Sequence, residues 1–126
     1  MGPESVIASL ADLDARLAAG GPDYLVLGPL PAAAVEVCFA GPFQGQRVLW
    51  RMRLATLAAF EEEEGPLPRP PERPRGAMRI AGQEQGVWRA SVGLAVGQID
   101  EPTVRKAIVM MRNYRALRPG LRVWGD

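Results

Sequence analysis

The side chains that could carry chemistry in this chain belong to few residue types. Histidine, the usual general base near neutral pH and the commonest metal ligand, is absent, and Cys38 and Lys106 are the single cysteine and the single lysine. A Ser-His-Asp or Cys-His catalyst therefore cannot be built within the chain, and no GxxxxGK(S/T) motif surrounds Lys106. The composition favours a non-catalytic protein, and we predict neither a cofactor nor a metal site.

Arginine dominates the basic residues, because it provides fourteen of the fifteen. Guanidinium groups bind carboxylates and phosphates through two parallel hydrogen bonds, so arginines gathered on one sheet face could hold a small anion. The favoured interpretation, however, is a solvated outer face in which Glu36 neutralises Arg51, because exposed strand faces are ordinarily charged. The candidate ligand-binding residues are Glu36, Arg47, Arg51, Arg53, Arg79 and Arg89.

Three other kinds of site are weaker candidates. Nucleic-acid binding is disfavoured because the net charge is only +1 and strand alternation points Trp50 and Trp88 away from the arginines. Cys38 could be a reactive thiol beside an arginine, but an inert buried cysteine is the favoured interpretation. The acidic run at residues 61–64 lacks the alternating geometry of a calcium loop, and no spacing joins two carboxylates into a catalytic pair.

The first 28 residues predict a helix and a short strand. Apolar residues at helical spacing cover residues 4–19, and Gly20, Gly21 and Pro22 supply the stop. The segment 23–28 (DYLVLG) is rich in strand-forming residues and is followed by Pro29 and Pro31, which suits an edge strand or an extended lead-in to the next element.

A first hairpin is predicted from residues 35–40 and 47–57, which flank the turn-like sequence GPFQGQ. A register that places Gly41 opposite Gln46 pairs Val37 with Trp50 on an apolar face. The same register pairs Glu36 with Arg51 on the other face. A slip by one residue would exchange the two faces, so the pattern predicts which side of the sheet each residue occupies.

A second hairpin is predicted from residues 77–81 and 87–97, with Gly82 opposite Gly86. This register pairs Ile80 with Trp88 and sets Arg79 opposite Arg89. The side chains on the reverse face of the second strand become progressively smaller towards Gly93. Glycine within a strand often marks the close approach of a helix or another backbone.

The segment between the hairpins predicts no regular structure. Four consecutive glutamates repel one another and five prolines remove backbone donors, so we expect a loop at about residues 61–76. The sequence PLPRPP at residues 66–71 contains a PxxP spacing, which another protein could bind in an aromatic groove.

A C-terminal helix is predicted from Glu101 to Leu117, with Asp100 as its N-cap. Its centre at residues 107–111 is apolar nearly all round. Two interpretations stay open: the helix is sandwiched between the sheet and the N-terminal helix, or a second copy of the chain covers it. The candidate interface residues are Val104, Ala107, Ile108, Met110 and Met111.

The sequence as a whole predicts one α+β domain spanning residues 1–126, with a mostly antiparallel sheet built from two hairpins and a helix from each end packed on it. No apolar run approaches the roughly 20 residues that cross a bilayer, and no signal-peptide pattern opens the chain. We therefore expect a cytoplasmic protein with no membrane contact. The leading function is a non-catalytic interaction or assembly module, homodimeric or bound to another protein, and the alternative is a binder of, or enzyme acting on, a small anionic ligand.

Overall fold

The computed structural model describes residues 7–30, 34–64, 76–94 and 99–117, and these residues form a five-stranded sheet with helices on both faces. The described strands lie in the order β1-β2-β3-β5-β4, and only β3 and β5 are parallel neighbours. The predicted α+β class with a mostly antiparallel sheet is confirmed. The elements in chain order are α1 (Leu10–Leu17), β1 (Tyr24–Leu30), β2 (Ala34–Phe43), β3 (Gln46–Thr56), α2 (Leu57–Glu64), β4 (Gly76–Glu84), β5 (Val87–Leu94) and α3 (Glu101–Leu117).

The first helix is shorter than its apolar pattern predicts. It begins at Leu10 because the hydroxyl of Ser9 accepts a hydrogen bond from the backbone N–H of Asp12, which caps the first turn. It ends at Leu17, before Gly20, whose φ of 107° is a left-handed conformation that glycine adopts without steric cost. Residues 4–6 of the predicted helix lie outside the described residues. β1 forms one end of the described sheet, as predicted.

The first hairpin forms, but its predicted register is wrong by two residues. The turn contains only Gln44 and Gly45, and Phe39 pairs with Trp50 while Glu36 pairs with Arg53. A shift of two residues leaves every side chain on its predicted face, because side-chain direction along a strand repeats every two residues. β2 continues through Gly41, where a Cβ would lie 3.0 Å from the Trp50 ring, so the absence of a side chain allows the indole to pack closely on the backbone.

The second hairpin shows the same kind of shift. Its turn is Gln85 and Gly86, and a register irregularity between Ile80 and Gly82 accommodates one extra residue in β4. Ile80 therefore pairs with Ala90 instead of Trp88, and the predicted pairing of Arg79 with Arg89 is wrong. The remainder of the predicted second strand, residues 95–97, lies outside the described residues.

The segment 61–64, predicted as loop, is the last turn of α2. The hydroxyl of Thr56 accepts a hydrogen bond from the Ala59 N–H at 3.2 Å near the start of this helix, and Phe60 is buried against β5. Glu63 binds Arg53 of β3, which offsets the repulsion within the acidic run. The rest of the predicted loop, residues 65–75, lies outside the described residues.

The two sheet faces carry different helices. α3 covers one face through Val104, Ala107, Ile108 and Met111, which pack on an aromatic and aliphatic core that includes Phe39. α1 and α2 cover the other face above two separate apolar clusters. The interpretation in which α3 is sandwiched between the sheet and the N-terminal helix is therefore wrong. No helix in the described ranges is long and apolar enough to cross a membrane.

Candidate functional site

Four of the predicted ligand-binding arginines lie together on the sheet face that carries α1 and α2. Arg51 of β3 and Arg89 of β5 are directly paired, and in the next row Arg53 of β3 and Arg79 of β4 both pair with Ser91 of β5. We call Arg51, Arg53, Arg79 and Arg89 the arginine belt. It crosses three strands between the apolar cluster under α1 and the apolar cluster under α2. Their role in ligand binding stays a prediction.

Arg47 shares this face but not the belt. It lies near the turn end of β3, where its Nη1 and Nη2 bind the two carboxylate oxygens of Asp14 on α1 at 3.0 and 2.7 Å. This two-pronged hydrogen bond lowers the pKa of Asp14 and raises that of Arg47, because each charge stabilises the other. Arg47 therefore fastens α1 to the sheet.

Internal carboxylates approach the belt from two sides. Glu36 on β2 accepts two hydrogen bonds from Arg51, both at 3.1 Å, so the predicted ion pair forms across a diagonal of the ladder. Glu63 on α2 accepts a hydrogen bond from Nη2 of Arg53 at 2.7 Å and lies 2.6 Å from its Nη1. Arg79 and Arg89 also have interactions within the chain. Charge-assisted pairs of this geometry hold guanidinium groups in fixed positions on the sheet.

Cys38 is a buried member of the apolar cluster under α1. Burial first, and the nearby Glu36 second, raise the pKa of its thiol to about 12. The thiolate is the nucleophilic form, so this cysteine is unreactive near neutral pH. The inert interpretation is supported over the reactive one.

Two carboxylates at the start of α3 have structural roles. Asp100 accepts a hydrogen bond from the Thr103 N–H at 3.1 Å and caps α3, and Glu101 accepts one from the Tyr24 hydroxyl. Within the described part of the chain, no group of three histidine, cysteine, aspartate or glutamate side chains could hold a metal ion.

A second notable surface is the flank where α3 lies beside β1. The buried Tyr24 donates its hydroxyl hydrogen to Glu101, which raises the pKa of the phenol because the hydrogen bond requires its protonated form. The guanidinium of Arg105 lies 5.6 Å from the centre of the Tyr24 ring. Arg112 lies at one end of this flank, where its Nη2 donates a hydrogen bond to the Asp23 carboxylate at 3.1 Å.

Two large apolar side chains on this flank are exposed. Val26 follows Tyr24 by two residues on the same strand face and is 46% exposed, and Val109 follows Arg105 by one helical turn and is 53% exposed. We call the set Asp23, Tyr24, Val26, Glu101, Arg105, Val109 and Arg112 the β1–α3 flank.

The predicted interface residues of α3 divide into two groups. Val104, Ala107, Ile108 and Met111 are buried against the sheet of their own chain, whereas Met110 is partly exposed. Sequence reasoning missed Val26 and Val109. Val109 lies within the apolar run 107–111. Because every residue of this run is apolar, residue type alone does not indicate which of them faces solvent. A helical wheel centred on Val104 and Ile108 would have placed it outside.

Comparisons with protein-family models, with curated proteins and with solved structures found no match for this chain.

Proposed function

We propose that this chain is a non-catalytic interaction module of the cytoplasm that forms a homodimer through the β1–α3 flank. The observation that carries the proposal is the exposure of Val26 and Val109, which are the two exposed large hydrophobic residues among the described part of the chain. Val26 lies on β1 and Val109 on α3, the two elements that form this flank. Removing such side chains from water is the main favourable contribution to association between proteins.

The charges of the flank support a second copy of the chain as the partner. Asp23 and Glu101 are carboxylates, Arg105 and Arg112 are guanidinium groups, and within the chain Arg105 pairs with Glu101 and Arg112 with Asp23. In a twofold dimer the same patch meets itself, so it must be complementary to its own rotated copy. A patch with equal numbers of opposite charges is compatible with this requirement, whereas a patch of one sign would repel its copy.

The size of the apolar patch sets the expected affinity. Fully burying a valine side chain contributes about 1.5–3 kcal/mol, and association must also overcome the loss of translational and rotational freedom. We therefore expect a reversible dimer that forms in the micromolar range.

Sedimentation equilibrium between 1 and 500 µM, concentrations on the order of the expected Kd, tests this proposal. The average mass should rise with protein concentration, and Val109→Asp should weaken dimerisation by at least about tenfold because it places a charge in the apolar contact. Ala11→Asp is the matched control, since Ala11 is exposed on α1 at the opposite sheet face. A strictly monomeric mass across the whole range would contradict the proposal, as would equal effects of V109D and A11D.

A further inference from the structure

Three aromatic side chains meet near the hairpin turns, on the sheet face that carries α3. The rings of Phe43 and Trp88 have their centres 4.4 Å apart. Both contact Trp50, whose ring centre lies 6.2 Å from that of Phe43 and 5.7 Å from that of Trp88. Trp50 is buried, whereas Phe43 and Trp88 are partly exposed and pack against the core. We call Phe43, Trp50 and Trp88 the aromatic cluster.

α3 covers only part of this face. Of the described strands, β2 makes the closest contacts with α3, and β5 lies two strands further along the sheet. Two strand spacings are about 10 Å, and a helix with its side chains is about 10–12 Å wide, so a helix over β2 ends short of β5. Ala90 and Val92 of β5 are nevertheless buried, and α1 and α2 lie on the opposite face. A further segment of the chain is therefore required over β5.

The segment that follows α3 starts close to the aromatic cluster. The guanidinium of Arg112, in the C-terminal half of α3, lies 5.3 Å from the centre of the Phe39 ring, and its Nη2 donates a hydrogen bond to the Ala40 carbonyl at 3.4 Å. Phe39 is in turn stacked on Trp50, with ring centres 6.5 Å apart. Residues 118–126 continue the chain from the end of α3, and nine extended residues reach about 30 Å. This length is sufficient to cross the cluster.

The other parts of the chain outside the described residues enter the molecule elsewhere. Residues 1–6 lead into Ile7, which belongs to the apolar cluster under α1 on the opposite face. The remaining segments join the sheet at the end farthest from the hairpin turns: 31–33, 65–75 and 95–98. Connectivity therefore selects residues 118–126 as the segment with access to the aromatic cluster.

The composition of residues 118–126 (RPGLRVWGD) suits an apolar docking surface. Pro119 and Gly120 directly after α3 favour a reversal of chain direction. The residues that follow include three large apolar side chains, Leu121, Val123 and Trp124. Tryptophan has the largest apolar surface of any side chain and packs favourably against other aromatic rings.

We infer that the aromatic cluster is a docking surface for residues 118–126 of the same chain, which turn back from α3 and cover the β5 side of the sheet. Phe43 has a further interaction within the chain besides its contacts with Trp50 and Trp88, which favours an occupant from the chain itself over an external one. The docking surface consists of residues other than those of the β1–α3 flank, so the inference does not depend on the proposed dimer.

Tryptophan fluorescence tests the contact, because the three tryptophans of the chain are Trp50, Trp88 and Trp124. In Trp124→Phe the remaining fluorophores are the two tryptophans of the aromatic cluster. Trp124→Ala and a chain that ends at Leu117 have the same two fluorophores but lack the proposed aromatic contact. Acrylamide should quench both proteins more strongly than W124F, and their emission should shift to longer wavelength, because Trp88 loses its cover.

Two controls accompany this measurement. Cys38 is buried on the opposite sheet face, so its thiol stays protected from a thiol reagent wherever the fold is intact. Where the shortened chain exposes Cys38, the comparison rests on W124A. Asp126→Asn in the W124F background changes the same segment without removing an apolar side chain, and its quenching should equal that of W124F.

A double-mutant cycle measures the contact independently of fluorescence. Phe43→Ala and Trp124→Ala should be coupled by about two- to tenfold in the equilibrium constant for unfolding, the range expected for an aromatic pair. Val109→Ala, on the exposed side of α3, is the matched control and should be additive with W124A. Urea unfolding followed by circular dichroism provides the equilibrium constants.

Three results would overturn the inference. The first is equal quenching of W124F, W124A and the shortened chain while Cys38 stays protected. The second is additivity of F43A and W124A. The third is quenching of W124F that rises on dilution, which would mean that a second copy of the chain covers the aromatic cluster. V109D combined with W124F should be quenched to the same extent as W124F alone, which separates a failure of this contact from a failure of the dimer.

Discussion

Phe60 lies directly on Gly93, and this contact joins α2 to β5. A Cβ added at Gly93 would fall 2.4 Å from Cδ2 and 2.9 Å from Cβ of the Phe60 side chain, closer than real atoms approach. The predicted close approach of another element to Gly93 is confirmed, and the element is a helix. Glycine here is required by space rather than by backbone angles.

Gly93→Ala should destabilise the protein by about 1–3 kcal/mol, because the new methyl group forces α2 away from the sheet. Urea unfolding followed by circular dichroism measures the change. The control is the same substitution in a Phe60→Ala background, where the methyl group has room and the additional cost should nearly disappear. An equal cost of G93A in both backgrounds would show that the strand backbone, and not Phe60, resists the methyl group.

Cys38 should be almost unreactive in the folded protein. With a pKa of about 12, about one thiol in ten thousand is ionised at pH 8, and the side chain is buried as well. Labelling with a thiol-specific disulfide reagent should therefore proceed only as fast as the fold opens, and in denaturant it should be complete at once. Fast labelling of the native protein would contradict the burial of this strand.

Asp100 should make stability depend on pH at the acidic end. Hydrogen bonds from Thr103 lower the folded-state pKa of this carboxylate below its unfolded value of 3.8. A lowered folded-state pKa means that the charged form stabilises the fold above the unfolded pKa, and that this contribution is lost as pH falls through the folded pKa.

Asp100→Asn retains a capping side chain but does not titrate. The free energy of unfolding of the unmodified chain, measured in urea from pH 6 down to pH 2.5, should therefore fall relative to that of D100N below about pH 4. Parallel curves for the two proteins would show that the Asp100 cap does not contribute through its charge.

Asparagine in the first position of each hairpin turn should stabilise the folded protein. Gln44 and Gln85 have φ values of 53° and 55°, each followed by a glycine of positive φ, as in type I′ turns. Asparagine adopts this conformation more readily than glutamine, so Gln44→Asn and Gln85→Asn should each raise the free energy of unfolding by about 0.5 kcal/mol. Thermal and urea unfolding of both variants measure it, and Gln46→Asn, just outside the first turn, is the control. Destabilisation by Q44N and Q85N would contradict the turn geometry.

These turns also explain which part of the fold could be predicted from the sequence. The alternation of Val37, Phe39, Trp50 and Met52 correctly assigns each residue to its sheet face, because that property has a period of two. The register requires the turn length as well, and Gln-Gly is a weak turn signal beside Gly41 and Pro42. The predicted loop was four residues long, whereas the observed turn has two. Each predicted cross-strand partner is therefore wrong by two positions but lies on the correct face.

The carboxylate partners of the arginines show which contacts could be predicted from the sequence and which could not. The pairing of Glu36 with Arg51 was predictable because both residues belong to one hairpin, so local spacing constrains them. The pairing of Arg53 with Glu63 was not, since it depends on helix α2 forming through an acidic run that local repulsion disfavours. Phe60 stabilises that helix through the cluster it forms with Ala34 of β2 and Ala55 of β3, and through its contact with Gly93 of β5, more than thirty residues further along the chain.

The parallel seam between β3 and β5 has a consequence for how the chain folds. The two strands of each hairpin are close together in the sequence. In contrast, Trp50 can pair with Trp88 only after the chain between the two hairpins has closed into a long loop. Closing that longer loop costs more conformational entropy, and it must occur before the contacts of the seam repay it. The hairpins should therefore form early as separate local units, and the joining of β3 to β5 should limit the folding rate.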